Sequence, residues 1–194
     1  MGVTVIAQTQ EQGRDATVEL DAPVLVVGCG RRQRRDDQIG LAIARKLMAR
    51  VKPGIVMRES ESPAADILTE LEGRSGVRLL VIIDAAVPGT AFAAGSLHRL
   101  VLGPQVGHSR VRILDRHFGK GAPSSHQLGV AEALRLGDAL GLLPRETWVY
   151  AIAGGDFGYG LEFSRPVHAD IDKIAERIAV EIETWLREWR ARHA

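Results

Sequence analysis

The chain has 194 residues, of which 45% are apolar and 25% charged, as in an average soluble globular domain with a substantial core. The net charge of +1 excludes a global electrostatic drive towards nucleic acid or an anionic membrane. The single cysteine, Cys29, excludes an intramolecular disulfide. No stretch has the length of a membrane span, and the first residues lack the basic start and apolar middle of a signal peptide. We therefore expect a cytoplasmic protein with no nucleic-acid or membrane partner.

The strongest early element is the apolar run at 23–28, PVLVVG. Because it lacks polar alternation, it predicts a central parallel strand that is buried on both faces. Residues 1–20 are weakly patterned, with candidate edge strands at 3–7 and 17–20. We expect them to form an N-terminal extension to one domain over 21–194.

Strands and helices then alternate along the chain. The patterns predict helices from about Asp36 or Asp37, at 63–72 and at 126–140, and a long amphipathic helix from about 167. They predict strands at 55–57, 78–84, 96–102 and 148–153. An irregular segment at 103–125 carries a further short strand at 111–114. Such alternation predicts an α/β fold: a single three-layer domain whose twisted, mostly parallel sheet is flanked by helices.

Acidic residues and one histidine stand where this fold binds ligands, at the carboxyl ends of strands near a switch in strand order. Asp36 and Asp37 follow the first strand, Asp84 ends the strand at 78–84, and His126 precedes a helix. Carboxylates with an imidazole suit zinc, nickel or manganese and leave coordination positions open. Taken singly, each residue also has a plainer interpretation: a helix cap, an acceptor for a loop amide, or a surface histidine.

Two other kinds of site are poorly supported by the motifs. The segment G-C-G-R-R-Q at 28–33 has glutamine where the dinucleotide fingerprint needs its third glycine. No G-x-S-x-G motif of a serine hydrolase is present.

The order of the segments resembles the [NiFe]-hydrogenase maturation endopeptidases, which trim the C-terminus of the hydrogenase large subunit after nickel is installed. The matching segments are VLVVGCG…DDQIG at 24–40, LLVIIDA at 79–85, SSHQLGV at 124–130 and LGLLPRETWVYAIAG at 140–154. Together they cover roughly 23–189. The resemblance implies the same α/β fold and a metal site formed by Asp37, Asp84 and His126.

The resemblance also implies an activity and a partner. It implies a hydrolase, an endopeptidase of the aspartate and metal type, acting on an immature hydrogenase large subunit. The divalent metal would be nickel presented by the substrate, with zinc or cadmium as surrogates, and the protein would be a monomer. Asp36 is our candidate catalytic residue, as a general base or an orienting group, and a helix-capping role is its alternative.

The loop at 31–35, RRQRR, departs from the family pattern, in which asparagine commonly follows the glycine. One interpretation is a solvated loop whose charges offset the acidic pair, and the other is a docking site for an acidic patch or terminal carboxylate of the substrate. The departure also leaves two other functions open. The chain could be a non-catalytic relative that binds a metal-containing partner, or a peptidase of this fold with another substrate.

Overall fold

The computed structural model describes residues 22–88, 93–103 and 125–194, without the side chains of 125–128. Its five strands are β1 (Val24–Cys29), β2 (Ile55–Ser60), β3 (Leu79–Ala86), β4 (Leu97–Leu102) and β5 (Glu146–Ala153). They form one sheet in the order β2-β1-β3-β5-β4. The pairs β1–β2, β1–β3 and β3–β5 are parallel, and only the edge pair β4–β5 is antiparallel. The predicted mostly parallel sheet is therefore confirmed.

Helices cover both faces of this sheet. They are α1 (Ile39–Met48), α2 (Pro63–Glu72), α3 (Ser125–Ala139) and α4 (Arg165–His193), and a short 3-10 helix at Arg35–Gln38 precedes α1. One core cluster joins α1 and α4 to the sheet, and a second joins α2 and α3 to its other face. The predicted three-layer α/β architecture is confirmed. Among the helices of the described ranges, none is long and apolar enough to cross a membrane.

Strand β1 shows why the sequence produces these layers. Val24 and Val26 belong to the core cluster under α1 and α4, whereas Leu25 and Val27 belong to the cluster under α2 and α3. Successive side chains of a strand point to opposite faces, so a strand covered on both sides needs apolar residues at every position. Burying each one fully contributes about 1.5–3 kcal/mol.

Several boundaries differ from the sequence-based expectation. Strand β2 continues to Ser60, and β3 continues two residues past Asp84, so this aspartate lies inside the strand. Neither Asp36 nor Asp37 caps α1, because both lie in the 3-10 helix and Gln38 takes the N-cap position. The strands expected at 3–7, 17–20 and 111–114 lie outside the described residues. The division into an extension and a domain stays a prediction.

The sheet order determines where a site can form. From β1 the chain adds β2 on one side and then β3 on the other, so the switch in strand order falls between β1 and β3. A crevice opens beyond the carboxyl ends of strands at such a switch point. Asp37 follows β1 and Asp84 lies near the end of β3, so both aspartates stand at this crevice.

Candidate active site

A close backbone contact sets the position of the segment that follows β1. Gly40, in the first turn of α1, lies against the carbonyl oxygens of Cys29 and Ile83, and Gly28 lies against the carbonyl oxygen of Gly40. A Cβ atom at either glycine would overlap these backbone atoms. Helix α1 therefore starts directly over the adjoining ends of β1 and β3, and Asp37 precedes it there.

Asp37 is buried at this junction, with 1% of its surface exposed. The backbone N–H of Arg31 donates a hydrogen bond to its Oδ2 at 3.1 Å. The preceding turn needs a glycine, because Gly30 has φ +146° and a Cβ there would overlap the carbonyl group of Asp37. The turn thus fixes both the backbone and the carboxylate of Asp37.

Asp84 lies on the side of β3 that faces α2 and α3, and it is 7% exposed. Its Oδ1 accepts a hydrogen bond of 2.9 Å from the backbone N–H of Ala85. Burial, followed by the negative charge of Asp37, raises the pKa of Asp84 well above its usual value, although the Ala85 hydrogen bond opposes the shift. The structure thus places the two predicted carboxylates close enough for the charge of Asp37 to raise the pKa of Asp84.

A groove of about 290 Å³ opens at Asp84. Its walls include Gly30 and Arg31, the start of α2 at 62–65, and Gly129 of α3. His126 lies three residues before Gly129 in the same helix, and residues at i and i+3 share a helix face. The backbone of His126 is therefore placed on the face of α3 that borders the groove. Its side chain lies outside the described part, so its role as a ligand stays a prediction.

The two carboxylates match a divalent cation in chemistry. Two negative charges at a buried position repel each other, and a cation between them would relieve that repulsion. Carboxylate oxygens are ligands for zinc and related ions. No group of three histidine, cysteine, aspartate or glutamate side chains with metal-site spacing occurs among the described residues. A complete site would need His126 as well.

Asp36 has a different environment from its neighbour. Its Oδ2 accepts hydrogen bonds from the N–H groups of Gly155 at 2.6 Å and Asp156 at 2.9 Å and from the Ser164 hydroxyl at 2.5 Å. Its Oδ1 accepts a fourth, of 2.7 Å, from the Ser164 N–H. The side chain is fully buried. These contacts give Asp36 a structural role, joining both ends of the segment between β5 and α4, and they favour it over the general-base role.

Comparison with known proteins identifies the fold. No protein-family model and no curated protein matches this chain. Solved structures do match. The hydrogenase maturating endopeptidase HybD from E. coli aligns over 83% of this chain and 92% of its own, with a TM-score of 0.67 and 19% identity. The [NiFe] hydrogenase maturation protease HybD from Thermococcus kodakarensis aligns over 84% and 97%, with a TM-score of 0.60 and 25% identity. This chain has the hydrogenase maturation endopeptidase fold.

A third similar structure is a hydrogenase 3 maturation protease, which aligns over 80% of this chain and 88% of its own, with a TM-score of 0.58 and 20% identity. The resemblance seen in the sequence motifs is therefore confirmed for the fold. At these identities the likeness reports architecture, and the chemistry has to be argued from the site of this chain.

Most side chains of the arginine-rich loop, residues 31–35, have partners within the protein. Arg32 forms ion pairs with Glu61 at 2.6 Å and Glu59 at 3.2 Å. The guanidinium of Arg34 lies 4.6 Å from the centre of the Tyr159 ring. The loop is also strained, because Gln33 has a φ of 62°, in the left-handed region. These contacts make much of the loop part of the folded structure.

Arg35 and the segment at 155–164 form a feature that sequence reasoning missed. Arg35 pairs with Asp156 at 3.3 Å, and its Nε–H donates to the carbonyl of Tyr159 at 3.2 Å. The sequence GGDFGYG at 154–160 was a signal of a structured turn, since glycines alternate there with aromatic residues. Nothing in the sequence indicated that this turn would pack on the arginine-rich loop.

Proposed function

We propose that this protein is an endopeptidase that removes the C-terminal extension of a [NiFe]-hydrogenase large subunit after nickel insertion, and that it acts as a monomer in the cytoplasm. The observation that carries the proposal is the pair of buried, interacting carboxylates, Asp37 and Asp84, at the switch point beside a groove. Solved structures of the same fold are named as hydrogenase maturation proteases, which supports the choice of substrate.

In this proposal the nickel ion belongs to the substrate. Asp37, Asp84 and His126 would hold it, and zinc or cadmium would act as surrogates in its absence. A bound divalent ion supplies Lewis-acid polarisation of the scissile carbonyl or a lowered pKa for a bound water. The residues of the protein contribute recognition, because two buried carboxylates that repel each other favour a cation over water.

Asp84 also links recognition to protonation. Burial and the charge of Asp37 raise the pKa of Asp84, so its carboxyl group keeps a proton to a higher pH than usual. Carboxylates bind cations in the deprotonated form, so binding is coupled to loss of that proton. The proposal therefore predicts that recognition weakens as the pH falls.

The small volume of the groove favours a peptide over a large organic ligand as the substrate. Its volume of about 290 Å³ lies at the lower limit of pockets that hold drug-sized molecules. Arg31, Glu61 and Ser62 add polar groups to its wall. A short extended segment from the C-terminus of a protein would place its scissile bond beside Asp84.

The test is an in vitro processing assay with a nickel-loaded precursor of the large subunit, read by mass. We expect Asp84→Asn and His126→Ala to lower the cleavage rate by at least about a hundredfold. Asp170→Asn and His168→Ala, in the first turns of α4 with His168 exposed and Asp170 half-exposed, are the matched controls and should cleave like the wild type. If Asp84→Asn and His126→Ala also cleave like the wild type, the assignment is wrong. A wild type that binds the precursor without cleaving it would instead identify a non-catalytic relative.

A further inference from the structure

The segment between β5 and α4, residues 154–164, is tied to the chain on both sides of Asp37; we call it the β5–α4 loop. Asp36, just before Asp37, holds both ends of this loop through four hydrogen bonds. Gln38, just after Asp37, donates from Nε2 to the carbonyl oxygen of Leu161 at 2.7 Å. The loop is therefore fixed in position relative to the proposed metal ligand.

The tip of the β5–α4 loop is also paired to the arginine-rich loop. The N–H of Arg35 donates to the carbonyl oxygen of Gly160 at 3.0 Å, and the N–H of Gly160 donates to the carbonyl oxygen of Gln33 at 2.9 Å. Two loops that exchange backbone hydrogen bonds in both directions restrict each other. The tip is thus ordered before any partner binds, which lowers the entropic cost of binding.

This ordered tip exposes two large apolar side chains, Tyr159 at 81% and Leu161 at 71%. They are the most exposed of the large hydrophobic residues in the described part of the chain. Tyr159 and Leu161 belong to neither core cluster, so core packing does not account for their presentation on a restrained loop. Tyrosine is enriched among the residues that dominate binding energy at protein interfaces.

The surroundings of this pair indicate the charge of the partner. The guanidinium of Arg34 stacks on the Tyr159 ring and places a positive charge beside it. Arg31 is exposed beside the groove at Asp84, and within the described residues its guanidinium has no hydrogen-bond or ion-pair partner. Both arginines favour a partner whose apolar contact is flanked by carboxylates.

We propose that Tyr159 and Leu161 are the docking contact for the folded body of the protein substrate, an immature hydrogenase large subunit with an apolar patch flanked by acidic side chains. This inference rests on the proposed function. A protein whose C-terminal segment lies at Asp37 and Asp84 has its body over the same edge of the sheet, and the β5–α4 loop presents the two most exposed large apolar side chains of the described residues there.

The test compares a double variant, Tyr159→Ser with Leu161→Ser, against a matched double variant, Val51→Ser with Leu140→Ser. The control residues are also exposed and apolar, but they precede β2 and β5 and so lie at the opposite edge of the sheet. Binding of nickel-loaded precursor is measured by biolayer interferometry, and cleavage is measured by mass. We expect the Tyr159 and Leu161 variant to bind about thirtyfold more weakly or worse, with kcat within twofold of the wild type. The control variant should change neither quantity.

The outcomes separate this inference from the proposed function. If the wild type cleaves and the Tyr159 and Leu161 variant binds equally well, the docking contact is wrong and the proposed function stands. If the wild type binds without cleaving, the proposed function falls and the binding ratio still decides the docking contact. If the wild type does neither, both fall. Thermal unfolding of the variants within about 2 °C of the wild type excludes a folding defect, since both side chains are exposed.

Discussion

Replacing Asp36 with alanine tests whether this residue is structural or catalytic. The change removes an acceptor of four hydrogen bonds and leaves the N–H groups of Gly155, Asp156 and Ser164 without it. Hydrogen bonds to a charged group contribute about 1.5–3 kcal/mol each. They are not additive, and breaking a buried charged network typically costs about 3–5 kcal/mol. We expect a loss in the free energy of unfolding within that range.

The loss should be visible in thermal unfolding followed by circular dichroism. For a chain of this size each kcal/mol lowers Tm by about 2–4 °C, so Asp36→Ala should melt roughly 6–20 °C below the wild type. The control is Asp170→Ala, whose half-exposed side chain pairs with Lys173 at 3.1 Å and should cost less than about 1 kcal/mol. If Asp36→Ala melts with the wild type while peptidase activity is lost, the structural assignment is refuted and Asp36 is a catalytic residue.

Two further changes test the charges around the groove. Asp84→Asn should stabilise the metal-free protein by an amount on the order of 1 kcal/mol at pH 7.5, because the wild-type pKa is raised by burial and then by Asp37. For a raised carboxyl pKa the folded state binds more protons than the unfolded state, so wild-type stability falls as pH rises from about 4 through the folded pKa. Urea unfolding with a chelator present should therefore show that the extra stability of Asp84→Asn over the wild type disappears towards pH 4. Equal extra stability at pH 7.5 and at pH 4 would contradict the coupling between Asp84 and Asp37. Arg31→Ser should weaken precursor binding at low salt, with the difference shrinking as salt screens the charge. Arg192→Ser, in the last turns of α4, is the control, and unchanged affinity at low salt would remove Arg31 from recognition.

The arginine-rich loop shows why single replacements are needed. The sequence alone treated its arginines as one group, either a solvated loop or a docking site. In the structure Arg32 and Arg35 form ion pairs within the fold, and Arg34 stacks on Tyr159. Replacing all four would alter the packing of the β5–α4 loop as well as the charge of the surface. Only Arg31 offers a change of charge without a broken contact among the described residues.

Much of the fold was predictable because it depends on local patterns. The continuous apolar runs of β1 and β3 predicted central parallel strands, and the 3–4 spacing of isoleucines predicted α4. The switch point could then be anticipated, with Asp37 and Asp84 beside it. Boundaries were less accurate, because the end of β3 is set by pairing with β5 as far as Ala86. That pairing is not encoded in the strand itself.

The part of the site that could not be predicted depends on contacts between distant segments. Asp36 and Asp37 are identical neighbours in the sequence, yet one bonds to Ser164 and the other interacts with Asp84. Asp36 and Asp37 have different roles because both lie in a turn of 3-10 helix, which points their side chains to different parts of the fold. Sequence spacing alone placed both at the same edge and could not distinguish a structural carboxylate from a candidate metal ligand.

The most direct test of the central claim is mass spectrometry of the hydrogenase large subunit from a strain that lacks the gene for this protein. The account predicts that the subunit accumulates with its C-terminal extension. It also predicts that the wild-type gene restores the shorter mass and that the Asp84→Asn gene does not. A large subunit of mature mass in the deletion strain would contradict the account.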